Sequence, residues 1–121
     1  SNEDVRLDDG STDIDSLDLY LELSIQLAKT YLTYFEITQE QHLALITQQI
    51  LKPLTVYEHA EIYFFLAYAS ICKNEPAMTR HWLNKYAKSN QFDPLLVSSH
   101  PAFSDLKQLD WFATLIKQRI S

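Results

Sequence analysis

Chain breakers are almost missing: 121 residues contain one glycine, Gly10, and four prolines. Glycine and proline are the residues that most strongly end or kink helices, so long uninterrupted helices are expected. No segment alternates apolar and polar residues between hairpin-type turns, which is what a half-buried strand requires. Apolar residues instead recur at spacings of three and four, the period of an amphipathic helix. The fold expected is all-α, with about five helices forming two antiparallel α-hairpins and a C-terminal capping helix.

The formal net charge is −6, and all of it lies at one end. Glu3, Asp4, Asp8, Asp9, Asp13, Asp15 and Asp18 oppose Arg6 alone, while the remaining nine acids and nine bases cancel. Residues 1–15 read as a flexible acidic linker and 16–121 as a single domain. Ser1-Asn2 in place of an initiator Met reads as the remnant of a tag, so an upstream signal, anchor or domain could have been removed. A calcium loop at Asp8–Asp15 fails on register: if Gly10 is its sixth position, the first and third ligands fall on Val5 and Leu7. The neutral body lacks the clustered cations that nucleic-acid binding needs, and no apolar run reaches the length of a membrane span, about 20 residues. Cys72 is the single cysteine, which excludes an internal disulfide and leaves cytoplasm and periplasm both open.

Helix one is expected over about Ser16 to Phe35, with an apolar stripe of Tyr20, Leu23, Leu27, Tyr31 and Tyr34 widened by Leu17, Leu21, Ala28, Leu32 and Phe35. Helix two is expected to start at a capping box, Thr38 with Gln41. It turns Leu43, Ile46, Ile50 and Leu51 inward and stops before Pro53. Helix three opens at a second such box, Thr55 with Glu58. It is apolar nearly all round from Ile62 to Cys72, as a central helix must be. Helix four has Asn74 as N-cap and Pro76 in its first turn, with Met78, Trp82, Leu83 and Tyr86 inward. Phe92-Asp93-Pro94 breaks the chain. Short turns follow near Leu95-Leu96-Val97 and from Pro101 through Phe103 and Leu106, and a last helix runs from Asp110 to about Ile120.

Residues 60–94 resemble a tetratricopeptide repeat, two antiparallel helices of roughly 34 residues. Tyr63 stands for the early bulky aromatic, Leu66-Ala67 for the leucine and small residue, Leu83 for the large residue of the second helix, and Asp93-Pro94 for the terminator. Ser70, Thr79 and Tyr86 depart from the pattern, with Ala87 one step late. The run Phe92-Asp93-Pro94, His100-Pro101-Ala102-Phe103, Leu106, Leu109-Asp110-Trp111-Phe112, Leu115 looks like the closing segment that follows the last such repeat in many bacterial proteins. There a terminal helix covers the apolar face left bare by the last hairpin. The resemblance implies a binding scaffold, the C-terminal module of a larger bacterial protein. It implies that the first helix of the hairpin lines a groove with Glu61, Phe64, Tyr68, Ile71 and Cys72. Family members that grip a C-terminal carboxylate use Lys and Asn at such places. Here Phe64 and Tyr68 stand there, which favours an apolar peptide or helix. Core packing of Phe64 and Tyr68 is the competing reading.

No catalytic constellation stands out. His42, His59, His81 and His100 are scattered, no zinc-type ligand spacing occurs, and Cys72 on an apolar helix reads as an inert core thiol. With one glycine there is no phosphate-cradling loop. Arg80, His81, Lys85 and Lys88 follow a helical spacing and read as a solvated basic face. No cofactor or metal is expected, and the function expected is noncatalytic protein–protein interaction. Two other readings stand beside it: an extracytoplasmic ligand-sensing domain of a membrane-anchored transcriptional regulator, and a homodimer formed through Phe64 and Tyr68.

Overall fold

A computed structural model describes residues 10–118, with side-chain surroundings from residue 14. Every regular element among them is helical, which gives the all-α class. Six α-helices and two 3-10 segments occur among the described residues, in place of about five helices. They are α1 (Gly10–Thr38), α2 (Gln41–Leu51), a 3-10 segment (Lys52–Tyr57), α3 (Ala60–Cys72), α4 (Pro76–Ala87), α5 (Pro94–Ser99), a second 3-10 segment (Pro101–Gln108) and α6 (Asp110–Ile116). The helix α1 is already formed at Gly10, six residues before the expected Ser16. Residues 1–9 and the expected helical turn at Ile120 lie outside the described residues.

The helix starts differ from both expected capping boxes. Thr38 closes α1, and its hydroxyl accepts from the Glu40 amide in a local turn (3.2 Å), while Gln39 takes a left-handed φ of 59°. Thr55 sits inside the first 3-10 segment and donates its hydroxyl to the Lys52 carbonyl (2.8 Å). The cap of α3 is His59, whose Nδ1 accepts from the Glu61 amide (3.2 Å). Asn74 is not an N-cap either. It adopts φ 58° just past α3, where the Glu75 amide donates to the Ser70 carbonyl and the Asn74 amide to the Ile71 carbonyl, both at 3.0 Å. That pairing is a Schellman ending, which needs a left-handed residue and takes asparagine when glycine is lacking.

The expected stripe of α1 divides into two faces. Leu21, Ile25, Ala28, Leu32 and Phe35 are buried in the core, whereas Tyr20, Leu23, Leu27 and Tyr34 are exposed. A helix turns about 100° per residue, so these sets lie on arcs roughly a third of a turn apart, and α2 and α3 cover only one of them. The inward face of α2 also differs from expectation. Ala44, Thr47, Gln48 and Leu51 are buried, and Leu43, Ile46 and Ile50 sit at the edge. The polar pair is hydrogen-bonded, as buried polar groups must be. The Thr47 hydroxyl donates to the Leu43 carbonyl at 2.9 Å, and Gln48 Nε2 reaches Glu75 Oε1 at 2.8 Å and Ser70 Oγ at 3.4 Å.

As expected of a helix apolar all round, α3 is central. It packs on α1, α2, α4 and both 3-10 segments, with nine of its thirteen residues buried. Leu66, Ala67 and Leu83 are fully buried where α3 and α4 pack together, and so is Thr79, whose hydroxyl donates back to the Glu75 carbonyl (2.8 Å). Beyond α4, Val97, Phe103, Leu106, Phe112 and Leu115 complete the core. Asp93 Oδ1 caps α5 by accepting from the Leu95 and Leu96 amides (3.1 and 3.2 Å). The Arg80 guanidinium lies 5.3 Å from the centre of the Trp111 ring and ties α4 to α6.

Candidate interaction surface

The five residues expected to line a groove are not brought together on an open surface. Phe64 is 3% exposed, with its ring against Tyr86 (5.4 Å), Phe65 (5.2 Å), His100 (5.7 Å) and Phe103 (5.9 Å). Tyr68 is 9% exposed and donates its hydroxyl to Glu36 Oε1 at 2.6 Å. Burial, then that carboxylate, pushes its pKa up. The C-terminal segment folds over this side of α3, so the position that a repeat array would leave open is filled by Phe103 and His100. Phe64 and Tyr68 are thus packed in the core, and they present little surface for the groove or the homodimer read from them. Ile71 is half-buried against the core. Glu61 is exposed and meets Lys29 Nζ at 3.5 Å.

A small cluster of polar groups lies where α1, α3 and the second 3-10 segment meet. Glu36, Tyr68, His100, Pro101 and Ala102 line one cleft there. His100 packs 4.6 Å from the Tyr68 ring and its Nδ1 accepts from the Ala102 amide (3.1 Å). Burial holds the His100 pKa below the usual histidine value, partly countered by Glu36. Cys72 is half-buried nearby, its thiol pushed up to about 12 by burial and then by Glu36, far from the thiolate that nucleophilic chemistry needs. Glu36, Tyr68 and His100 are occupied with capping and pairing. Among the described residues no group of His, Cys, Asp and Glu is arranged to hold a metal ion, and no helix is long and apolar enough to cross a membrane.

The surface that stands apart is the outer face of α1. Leu19, Tyr20, Leu23, Leu27, Tyr34 and Ile37 are between 47% and 74% exposed, with half-buried Tyr31 among them. Together they present on the order of 700 Å² of accessible surface, above the roughly 300–600 Å² of the largest apolar patch on an ordinary monomer. Its other members, Ser16, Gln26, Thr30, Thr33 and Thr38, carry no charge. Every charged residue of α1 between Ser16 and Thr38 lies on the far side of the helix. Two of them are engaged with α3: Lys29 meets Glu61 and sits 5.4 Å from the Phe65 ring, and Glu36 accepts from Tyr68. Sequence periodicity signals the apolar residues of α1 but not this division, because the two stripes share the same three-four spacing. Comparisons of the chain with protein-family models, with curated proteins and with solved structures find no match.

Proposed function

We propose that this chain is a noncatalytic protein-interaction module. Its α3–α4 pair acts as a tetratricopeptide-like hairpin closed by the Pro94–Ile116 segment, and its contact surface is the outer face of α1. The observation that carries this reading is the uncharged row of Tyr and Leu side chains on α1, left in water beside a second apolar stripe that is packed in the core. Exposed apolar faces of this size are costly in isolation and mark docking surfaces. Support for the hairpin comes from the burial of Leu66, Ala67, Thr79 and Leu83 at the α3–α4 contact. Support for the closing segment comes from Phe103, Phe112 and Leu115, which cover that pair.

The test uses the whole chain, immobilised and challenged with soluble proteins of its source cell, beside a Leu23→Ser/Leu27→Ser variant. The reading expects face-dependent association to be lost while the melting temperature stays close to wild type, since surface changes are usually within about 0.5 kcal/mol. Phe64→Ala serves as the core control and should cost about 3–5 kcal/mol. If the Ser variant keeps every association of the wild type, or unfolds as readily as the Phe64 variant, the reading fails.

A further inference from the structure

We infer that the outer face of α1 receives the same face of a second copy of this chain, with the two helices antiparallel and crossing at Leu27. This rests on the reading of α1 as a contact surface and names its partner.

The residues of the face repeat with a heptad spacing: Tyr20, Leu27 and Tyr34 stand seven apart, and Leu23, Thr30 and Ile37 each follow one of them by three. A row with this period is the seam along which two helices pack side by side. The row is also close to a palindrome about Leu27. Counting outward along the exposed side in both directions pairs Leu23 with Tyr31, Tyr20 with Tyr34 and Ser16 with Thr38. A two-fold interface joins residue i of one copy to residue j of the other and j to i, so a face palindromic in size and polarity is complementary to itself when reversed. Tyr20 then meets Tyr34, Leu23 meets Tyr31, and Leu27 meets Leu27.

Size and charge point the same way. A standard interface takes about 800 Å² from each partner, close to what the α1 face presents. Between Ser16 and Thr38 the arc carries no charge, so along that length two copies bring no like charges together at the seam. A lipid surface fits less well, since helices that lie on membranes flank their apolar face with Lys and Arg, and this arc has neither.

Sedimentation equilibrium on the whole chain should give twice the 14.1 kDa chain mass, and Leu27→Glu, which would set two carboxylates against each other at the crossing, should return it to one. Circular dichroism checks that the variant remains helical. Orientation is read by oxidation in a Cys72→Ser background: Tyr20→Cys mixed with Tyr34→Cys should form a linked heterodimer, whereas neither variant alone should link to itself. A wild-type monomer at hundreds of micromolar, a dimer unaffected by Leu27→Glu, or self-linking of Tyr20→Cys would each overturn the inference. A monomer that still shows face-dependent capture of another protein removes the second copy alone. A monomer without such capture removes the interaction reading as well.

Discussion

With its single glycine at position 10, the chain has to turn its corners with residues that resist the left-handed region. Gln39, Glu58 and Asn74 all adopt φ between 53° and 59°, one at each joint between successive long elements. Asparagine tolerates this region, but a left-handed glutamate is disfavoured by roughly 1–2 kcal/mol. Glu58→Gly should therefore stabilise the domain by about 0.5–1 kcal/mol after the entropy that glycine loses on folding, measured as a shift in the denaturant midpoint at constant slope. A loss of stability would mean that the Glu58 side chain contributes more than its backbone geometry costs. His100 gives a second prediction at this scale. Its ring is neutral when it accepts the Ala102 amide, and burial beside Tyr68 and Phe103 lowers its folded pKa below the unfolded value of about 6.5, Glu36 opposing that shift. The unfolded chain then binds the proton first on acidification. Stability should be intact above about pH 6.5 and fall below it until the lower folded pKa is passed. Relative to His100→Asn, which keeps a cap acceptor and does not titrate, the wild type should lose stability between pH 7 and pH 5. An unchanged difference across that range would contradict the assignment.

At the scale of the element, what could be read in advance depended on whether the signal was local. The central role of α3 followed from its nearly continuous apolar run, and the Phe92-Asp93-Pro94 break fell where Asp93 caps α5. Helix starts were less legible because ring nitrogens of His59 and His100 do the capping, a role that sequence rules assign to Ser, Thr, Asp and Asn. The departures from the repeat pattern have local causes too. Ser70 is fully buried and lets Gln48 of α2 approach α3. Tyr86 accepts the Asp93 amide at 3.1 Å and packs on Phe64 and Phe92, so it fastens the closing segment that a small residue could not reach. The exposed apolar face of α1 was the least legible part. Both stripes of α1 are apolar, and only the placement of α2 and α3 decides which one faces water. Phe64 and Tyr68 posed the reverse problem, since the residues that bury them, Phe103 and His100, lie more than thirty positions along the chain.

Across the whole molecule, α1 carries two apolar stripes roughly a third of a turn apart: one closes the core, and the other stays in water. These stripes make opposite demands on stability, which a comparison of Leu32, 1% exposed, with Leu27, 47% exposed, separates directly. The deciding measurement is equilibrium unfolding of Leu32→Ala and Leu27→Ala at the lowest protein concentration that gives a signal, where association contributes least. The two-faced helix predicts a loss of about 2–5 kcal/mol for Leu32→Ala, as for other buried leucines, and a change within about 0.5 kcal/mol for Leu27→Ala. Equal losses at the two positions would place Leu27 inside the folded core and contradict the account.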